Sequence, residues 1–143
     1  MKSFNIFLGR PRYGWLLFEI KVGEYSFQNE ASDLGLNVID QFVSMLDNVK
    51  INREAECYFY LEPSSYFLRL EPCMDTMSLI IQFVDDFEAC DDLKRETLFH
   101  ASIDRRQFET AITEVLKAFR QYEFEDDDWP LPENWDRLER LHN

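Results

Sequence analysis

The sequence predicts an α+β fold: a two-layer sandwich in which a mainly antiparallel sheet of about five or six strands carries helices on one face, with a short C-terminal helix. Segments with alternating apolar residues surround a segment whose apolar residues recur every three or four positions. Most connections between the strand segments are shorter than the dozen residues that a parallel crossover needs. With 143 residues and 45% hydrophobic content, the chain can bury a sizeable core, so one domain spanning residues 1–143 is expected.

The first half of the chain contains strand patterns followed by a helix pattern. Alternating apolar positions, interrupted by turn residues such as Gly9 and Gly23, predict strands at residues 4–8, 13–22 and 25–27. Apolar residues at spacings of three and four then predict a helix. We expect it to begin with a cap at Ser32 or Asp33 and to end at about Asn48.

The second half repeats this order. Strands are expected at residues 55–61, 66–71, 77–84 and 96–103. Asp104 and Gln107 have the spacing of a capping box, in which each side chain satisfies a backbone N–H of the first helical turn. An apolar stripe follows the box and predicts a long helix: Phe108, Ala111, Ile112, Val115, Leu116, Phe119 and Tyr122. A short helix is expected at residues 133–141.

The charge of the chain bears on its partners. Asp and Glu number 28 against 15 Lys and Arg, which gives a formal net charge of −13. Much of the acid lies in two runs: Asp85, Asp86, Glu88, Asp91 and Asp92, and then Glu123, Glu125, Asp126, Asp127 and Asp128. Such an excess repels nucleic acid and anionic lipid and attracts cationic surfaces. We therefore expect a basic protein partner, and neither a nucleic acid nor a membrane.

Each acidic run has two interpretations. It is either a solvated segment that keeps the chain soluble or a contact for a basic partner. The basic turn around Arg10 and Arg12 is likewise either solvated or a site that orients a partner, since residues 1–22 hold four Lys or Arg and one Glu.

One face of the predicted sheet is rich in aromatic residues. In the strand at residues 55–61, Ala55, Cys57, Phe59 and Leu61 form the inward set, and the opposite set is Glu56, Tyr58, Tyr60 and Glu62. Leu17, Phe67 and Ile80 could extend this second face. Either the C-terminal segment, whose Trp129 and Trp135 need apolar neighbours, partly covers this face, or it is a binding face, because aromatic residues are enriched in protein interfaces. The candidate partner-binding residues are therefore three aromatic residues and most of the acidic residues of the two runs: Tyr58, Tyr60, Trp129, Asp85, Asp86, Glu88, Asp91, Asp92, Glu125, Asp126, Asp127 and Asp128.

No catalytic, metal-binding or cofactor-binding set is expected. The acidic run at residues 85–92 lacks the ligand order and the glycine of a calcium-binding loop. The only histidines are His100 and His142, and no zinc-binding spacing joins them. An enzyme remains an alternative only if carboxylates such as Glu19, Glu56 or Glu62 converge with a tyrosine.

The cellular location follows from the cysteines and the N-terminus. Cys57, Cys73 and Cys90 are odd in number and lack CxxC spacing, which indicates reduced thiols. Residues 1–6 lack the apolar region of a secretory signal, and no apolar stretch approaches the length of a membrane span. A cytoplasmic protein is expected.

Three segments give the chain a family resemblance: Gly14-Trp15, Asp104-Arg105-Arg106-Gln107-Phe108 and Asp128-Trp129-Pro130. With the order of its elements, the chain resembles the immunity proteins of bacterial polymorphic-toxin and contact-dependent growth inhibition systems. The resemblance implies a cytosolic inhibitor that occludes the active or substrate-binding surface of a cognate toxin domain, commonly a basic nuclease. The alternative is a self-associating adaptor or assembly module, which would form a homodimer or a larger assembly.

Overall fold

The computed structural model describes residues 1–88 and 94–140 and confirms the α+β class. Within these residues the strands form two antiparallel sheets rather than one. The first sheet has the order β1 (Phe4–Leu8), β2 (Trp15–Val22), β3 (Tyr25–Ser32). The second has the order β4 (Ala55–Tyr60), β5 (Ser65–Cys73), β6 (Thr76–Val84), β7 (Glu96–Asp104). The helices are α1 (Val38–Lys50), α2 (Arg105–Arg120) and α3 (Trp135–Glu139).

The two sheets share one hydrophobic core. The ring of Phe18 on β2 stacks on Phe59 of β4 with 4.1 Å between centroids. Tyr25 on β3 stacks on Phe99 of β7 at 4.3 Å. At the start of the chain, the backbone N–H of Lys2 donates to the carbonyl of Ser102 at 2.9 Å, which joins the first sheet to β7. The inner faces of both sheets therefore bury the same set of side chains.

Two helices complete this core. The predicted stripe of α2 is buried at Phe108, Ile112, Val115, Leu116 and Phe119. The ring of Phe108 lies 5.1 Å from that of Phe4 on β1. In α1, the ring of Phe42 meets Phe59 edge-on at 6.0 Å. Each helix therefore packs against a different sheet while contributing to the common core.

Helix α1 begins later than predicted because β3 is longer than predicted. Ser32 still pairs with Trp15 in the sheet, so it cannot cap a helix. Asn37 is the cap instead, and its Oδ1 accepts from the backbone N–H of Ile39 at 3.1 Å. The predicted cap at Ser32 or Asp33 is wrong.

The predicted capping box of α2 is also wrong. Asp104 makes no side-chain cap hydrogen bond. Gln107 Oε1 accepts from the backbone N–H of Phe4 at 2.9 Å, on the edge of β1. This glutamine therefore satisfies a donor of an edge strand rather than one of its own helix.

The C-terminal segment packs against α1, α2 and the turn before β2. Trp129 is completely buried, and its indole Nε1 donates to Asn37 Oδ1 at 3.1 Å. Trp135 meets the ring of Phe119 edge-on. Neither tryptophan therefore covers the outer face of the second sheet. The segment borders that face only through Pro130, Leu131 and Glu133, which lie beside Glu56 and Tyr58. No helix in the described part of the chain has the length and apolar character to cross a membrane.

Asp128 connects this segment to the turn before β2. Its Oδ1 accepts from the backbone N–H of Tyr13 at 3.1 Å, and its Oδ2 accepts from that of Glu125 at 3.2 Å. These two hydrogen bonds, and then the charges of Arg10 and Arg12, lower the pKa of the Asp128 carboxyl group. The basic turn thus lies against an acidic residue of the same chain.

We expect Asp128→Asn to lower the melting midpoint at pH 7. Because folding lowers this pKa, the ionised carboxylate contributes stability above its unfolded pKa, and that contribution disappears as the pH falls through the folded value. Thermal unfolding followed by circular dichroism should show the largest difference from wild type near pH 7 and a shrinking difference toward about pH 3. Asp127→Asn removes the same charge from an exposed neighbour and serves as the control; equal effects of the two variants would contradict this role.

Candidate functional site

Four aromatic rings meet on the outer face of the four-stranded sheet. Tyr58 and Tyr60 project from β4, and Tyr58 lies directly opposite Phe67 of β5. Phe87, which follows β6, lies with its ring 4.6 Å from Tyr58, 5.5 Å from Tyr60 and 6.1 Å from Phe67. Its backbone N–H donates to the carbonyl of Pro63 at 2.8 Å, which holds it over the sheet. We call these four residues the aromatic cluster.

Acidic side chains surround one end of the aromatic cluster. Burial, and then the negative charges of Glu88, Glu62 and Asp86, raise the pKa of the Tyr60 hydroxyl. Asp86 Oδ1 accepts from the backbone N–H of Glu88 at 3.1 Å, which shapes the turn that places both residues there. We call Glu62, Asp86 and Glu88 the acidic rim. The structure thus joins an aromatic strand and an acidic loop into one surface.

Ion pairs close the other side of the cluster. The guanidinium of Arg95 lies 3.7 Å from the centroid of the Phe67 ring, and its Nη1 is 3.0 Å from a Glu56 carboxylate oxygen. Arg69 Nε lies 3.4 Å from the other oxygen of Glu56. The charge of Glu56 is therefore balanced within the chain, and Phe67 is covered as part of the floor of the site.

One glutamine holds the edge of β4 and, through it, Tyr58. Gln41 Oε1 accepts from the backbone N–H of Tyr58 at 2.8 Å, and Gln41 Nε2 donates to the Tyr58 carbonyl at 3.0 Å. The side-chain amide thus replaces the neighbouring strand that β4 lacks on this side. The same Nε2 also donates to the carbonyl of Leu36 at 3.1 Å, which attaches the turn before α1.

The turn before α1 packs directly on the Tyr58 ring. The Tyr58 hydroxyl accepts from the backbone N–H of Leu36 at 2.8 Å. A Cβ added to Gly35 would lie 2.9 Å from Cε2 of Tyr58, so only glycine allows this approach. Tyr58 is therefore held in one orientation by both its backbone and its ring.

A groove of about 530 Å³ lies beside Tyr58, between the start of α1 and the C-terminal segment. The Asp40 carboxylate connects its two sides: Oδ2 accepts from the backbone N–H of Glu133 at 3.0 Å, and Oδ1 accepts from that of Asn134 at 2.8 Å. The groove and the aromatic cluster share Tyr58 and form one continuous surface.

The structure brings together some of the predicted partner-binding residues and separates others. Tyr58, Tyr60, Asp86 and Glu88 meet in the site, and Asp85 is exposed beside them. Asp91 and Asp92 lie outside the described residues. The second acidic run lies apart: Glu125, Asp126 and Asp127 are exposed on the C-terminal segment, and Asp128 has the structural role given above. Trp129 is completely buried and offers no surface to a partner, so its predicted contact with a partner is wrong.

Two residues of the site were missed. Phe87 is a single aromatic residue inside an acidic run, and this placement is the sequence feature that could have indicated its role in the site. Gln41 interrupts the apolar pattern of α1 at a buried position, but its role depends on a strand 17 residues away. Leu17 does not extend this face, since it lies on the first sheet.

Of the three carboxylates considered for an enzyme, Glu62 lies beside Tyr60 in the acidic rim, whereas Glu19 and Glu56 are held in ion pairs. Glu19 lies on β2 in the first sheet, 3.6 Å from the Lys21 ammonium. Glu56 is engaged by two arginines. His100 Nε2 is 2.7 Å from the hydroxyl of Ser78, so it is paired on the second sheet.

A solved structure shares this architecture. A chain in the structure described as the CdiA-CT/CdiI toxin and immunity complex from Enterobacter cloacae matches with a TM-score of 0.54 at 11% sequence identity. The match covers 78% of this chain and 97% of that chain. No protein-family model matches the sequence, and no curated protein matches it. The predicted resemblance to toxin–immunity systems is therefore supported at the level of the fold.

We expect Gln41→Leu to destabilise the protein. Leucine fills a similar volume but leaves the backbone N–H and carbonyl of Tyr58 unpaired, at about 1–3 kcal/mol for each buried group without a partner. Urea unfolding monitored by fluorescence measures the loss. The exposed Gln28→Leu serves as the control and should change the free energy of unfolding by less than about 0.5 kcal/mol. Similar values for the two variants would contradict the role of Gln41.

Proposed function

We propose that this protein binds a cognate toxin domain and neutralises it by occluding the active or substrate-binding surface. The observation that carries this proposal is the joining of the aromatic cluster to the acidic rim on one exposed face. Aromatic side chains supply much of the binding energy in protein interfaces, and surrounding charges select the partner. The protein acts by binding in this proposal, in the cytoplasm and without a catalytic group of its own.

The charge indicates the nature of the toxin. A nuclease domain carries a cationic surface to hold nucleic acid, and the chain has a net charge of −13. The acidic rim attracts such a surface and speeds encounter, while Tyr58 and Tyr60 slow release through close packing. The proposed partner is therefore a basic toxin domain of the nuclease type.

The fold likeness supports this proposal independently. The matched chain belongs to a structure described as a toxin and immunity complex, and nearly the whole of that chain is matched. A shared fold does not by itself define a function. The acidic and aromatic surface supplies the local argument that the fold alone lacks.

The proposal predicts a salt-sensitive complex in the native host. The purified protein should capture a basic protein from host lysate at low salt and lose much of it at moderate salt. Expressed alone, that partner should arrest growth, and co-expression of this protein should restore growth. Failure of the wild-type protein to restore growth would contradict neutralisation.

Matched variants locate the contact. Asp86→Asn combined with Glu88→Gln should slow association severalfold and flatten its salt dependence in surface plasmon resonance. Glu123→Gln combined with Glu125→Gln removes two charges from the other acidic run, and its association rate should stay near wild type. An equal loss in both double variants would mean that only the net charge matters, and not this face.

A self-associating module is the second candidate, and the outer face of the first sheet favours it. Phe7 is 50% exposed and Trp15 is 37% exposed there, on the same face as Leu17. If this face joins two copies, light scattering should show a dimer at micromolar concentration, and Trp15→Ser should convert it to a monomer. A wild-type monomer at that concentration would contradict this candidate.

A further inference from the structure

We propose that the groove beside Tyr58 receives an arginine- or lysine-bearing segment of the partner protein. This inference rests on the proposed function and extends the contact beyond the aromatic cluster. The proposed ligand is a peptide segment in which the basic side chain is flanked by apolar side chains.

The walls of the groove combine apolar and acidic groups. Leu36 is 65% exposed on the α1 side and Leu131 is 61% exposed on the opposite wall, so two leucines border the opening. The ring of Tyr58 and Pro130 extend the apolar surface. The carboxylates among the lining residues are Asp40, Glu56 and Glu133. This composition suits a side chain with an apolar stem and a cationic end, since such a stem packs on apolar surface.

Two of these three carboxylates are not balanced by the chain itself, whereas Glu56 is paired with Arg69 and Arg95. Asp40 accepts its hydrogen bonds from amide groups of residues 133 and 134, which are neutral and bring no positive charge to the groove. Within residues 1–88 and 94–140, no ion pair involves Asp40 or Glu133, and the residues that line the groove include neither lysine nor arginine. A guanidinium or ammonium group from a partner would supply the missing positive charge.

The groove is already formed in the unbound chain. Asn37 Nδ2 donates to the carbonyl of Pro130 at 3.0 Å, and the Asp40 carboxylate accepts from the backbone N–H groups of residues 133 and 134, so the C-terminal segment is fixed to α1. Gln41 fixes α1 to β4 through its hydrogen bonds with Tyr58 described above. Binding therefore requires little ordering of the protein, which favours affinity.

The test uses a defined probe and two matched variants. The probe is a hexapeptide of alternating leucine and arginine, with a hexapeptide of alternating leucine and glutamine as its uncharged counterpart. Each is titrated into the ¹⁵N-labelled full chain at low salt, and amide shifts are followed. Glu133→Lys reverses a charge in the groove, whereas Glu123→Lys makes the same change on the exposed acidic run elsewhere.

The arginine peptide should shift the backbone amide signals of residues 35–44, 58, 131 and 133, and the glutamine peptide should not. Glu133→Lys should weaken binding of the arginine peptide about fivefold or more, and Glu123→Lys by less than about twofold. Shifts confined to other surfaces, or equal weakening by the two variants, would overturn the proposal.

The same variants separate this inference from the proposed function. If the captured toxin binds Glu133→Lys as tightly as wild type while the Asp86 and Glu88 double variant is impaired, the proposed role of the groove is wrong and the inhibitor function stands. If the peptide binds the groove but no toxic partner is captured, the groove stands and the proposed function fails.

Discussion

The candidate site depends on the pairing of one side-chain amide with one strand edge. Gln41 closes the free edge of β4 at Tyr58 and simultaneously attaches the turn that packs on the Tyr58 ring. A buried helix residue thereby sets the position of a partly exposed aromatic residue. Because the groove and the aromatic cluster share Tyr58, loss of the hydrogen bonds between Gln41 and Tyr58 would displace the whole surface.

The two acidic runs have different places in the molecule despite their similar composition. Asp86 and Glu88 lie beside Tyr60, where their charge adds to an aromatic surface. Asp128 instead binds backbone amides and lies near Arg10 and Arg12, so part of the second run stabilises the chain itself. Net charge alone therefore does not locate the surface that a basic partner would contact.

Features that depend on local periodicity could be predicted from the sequence, and features that depend on long-range pairing could not. Alternation placed Tyr58 and Tyr60 on the outer face, and the α2 stripe is buried where expected. Gln107 fits the local spacing of a capping box, yet its amide oxygen accepts from the backbone N–H of Phe4, 103 residues away. Trp129 has the amphipathic character of an interface residue, and only the folded chain reveals that Asn37 satisfies its indole in the core. Phe87 joins the site through a turn whose geometry the composition does not encode.

We propose that the face around Tyr58 and Tyr60 contacts a basic toxin domain. Hydrogen exchange measured by mass spectrometry, with and without the partner captured from the host, locates this contact. We expect slower exchange at residues 35–41, 56–62 and 85–88 in the complex, with residues 15–21 unchanged. Protection confined to residues 15–21 would contradict the claim, because it would place the contact on the first sheet.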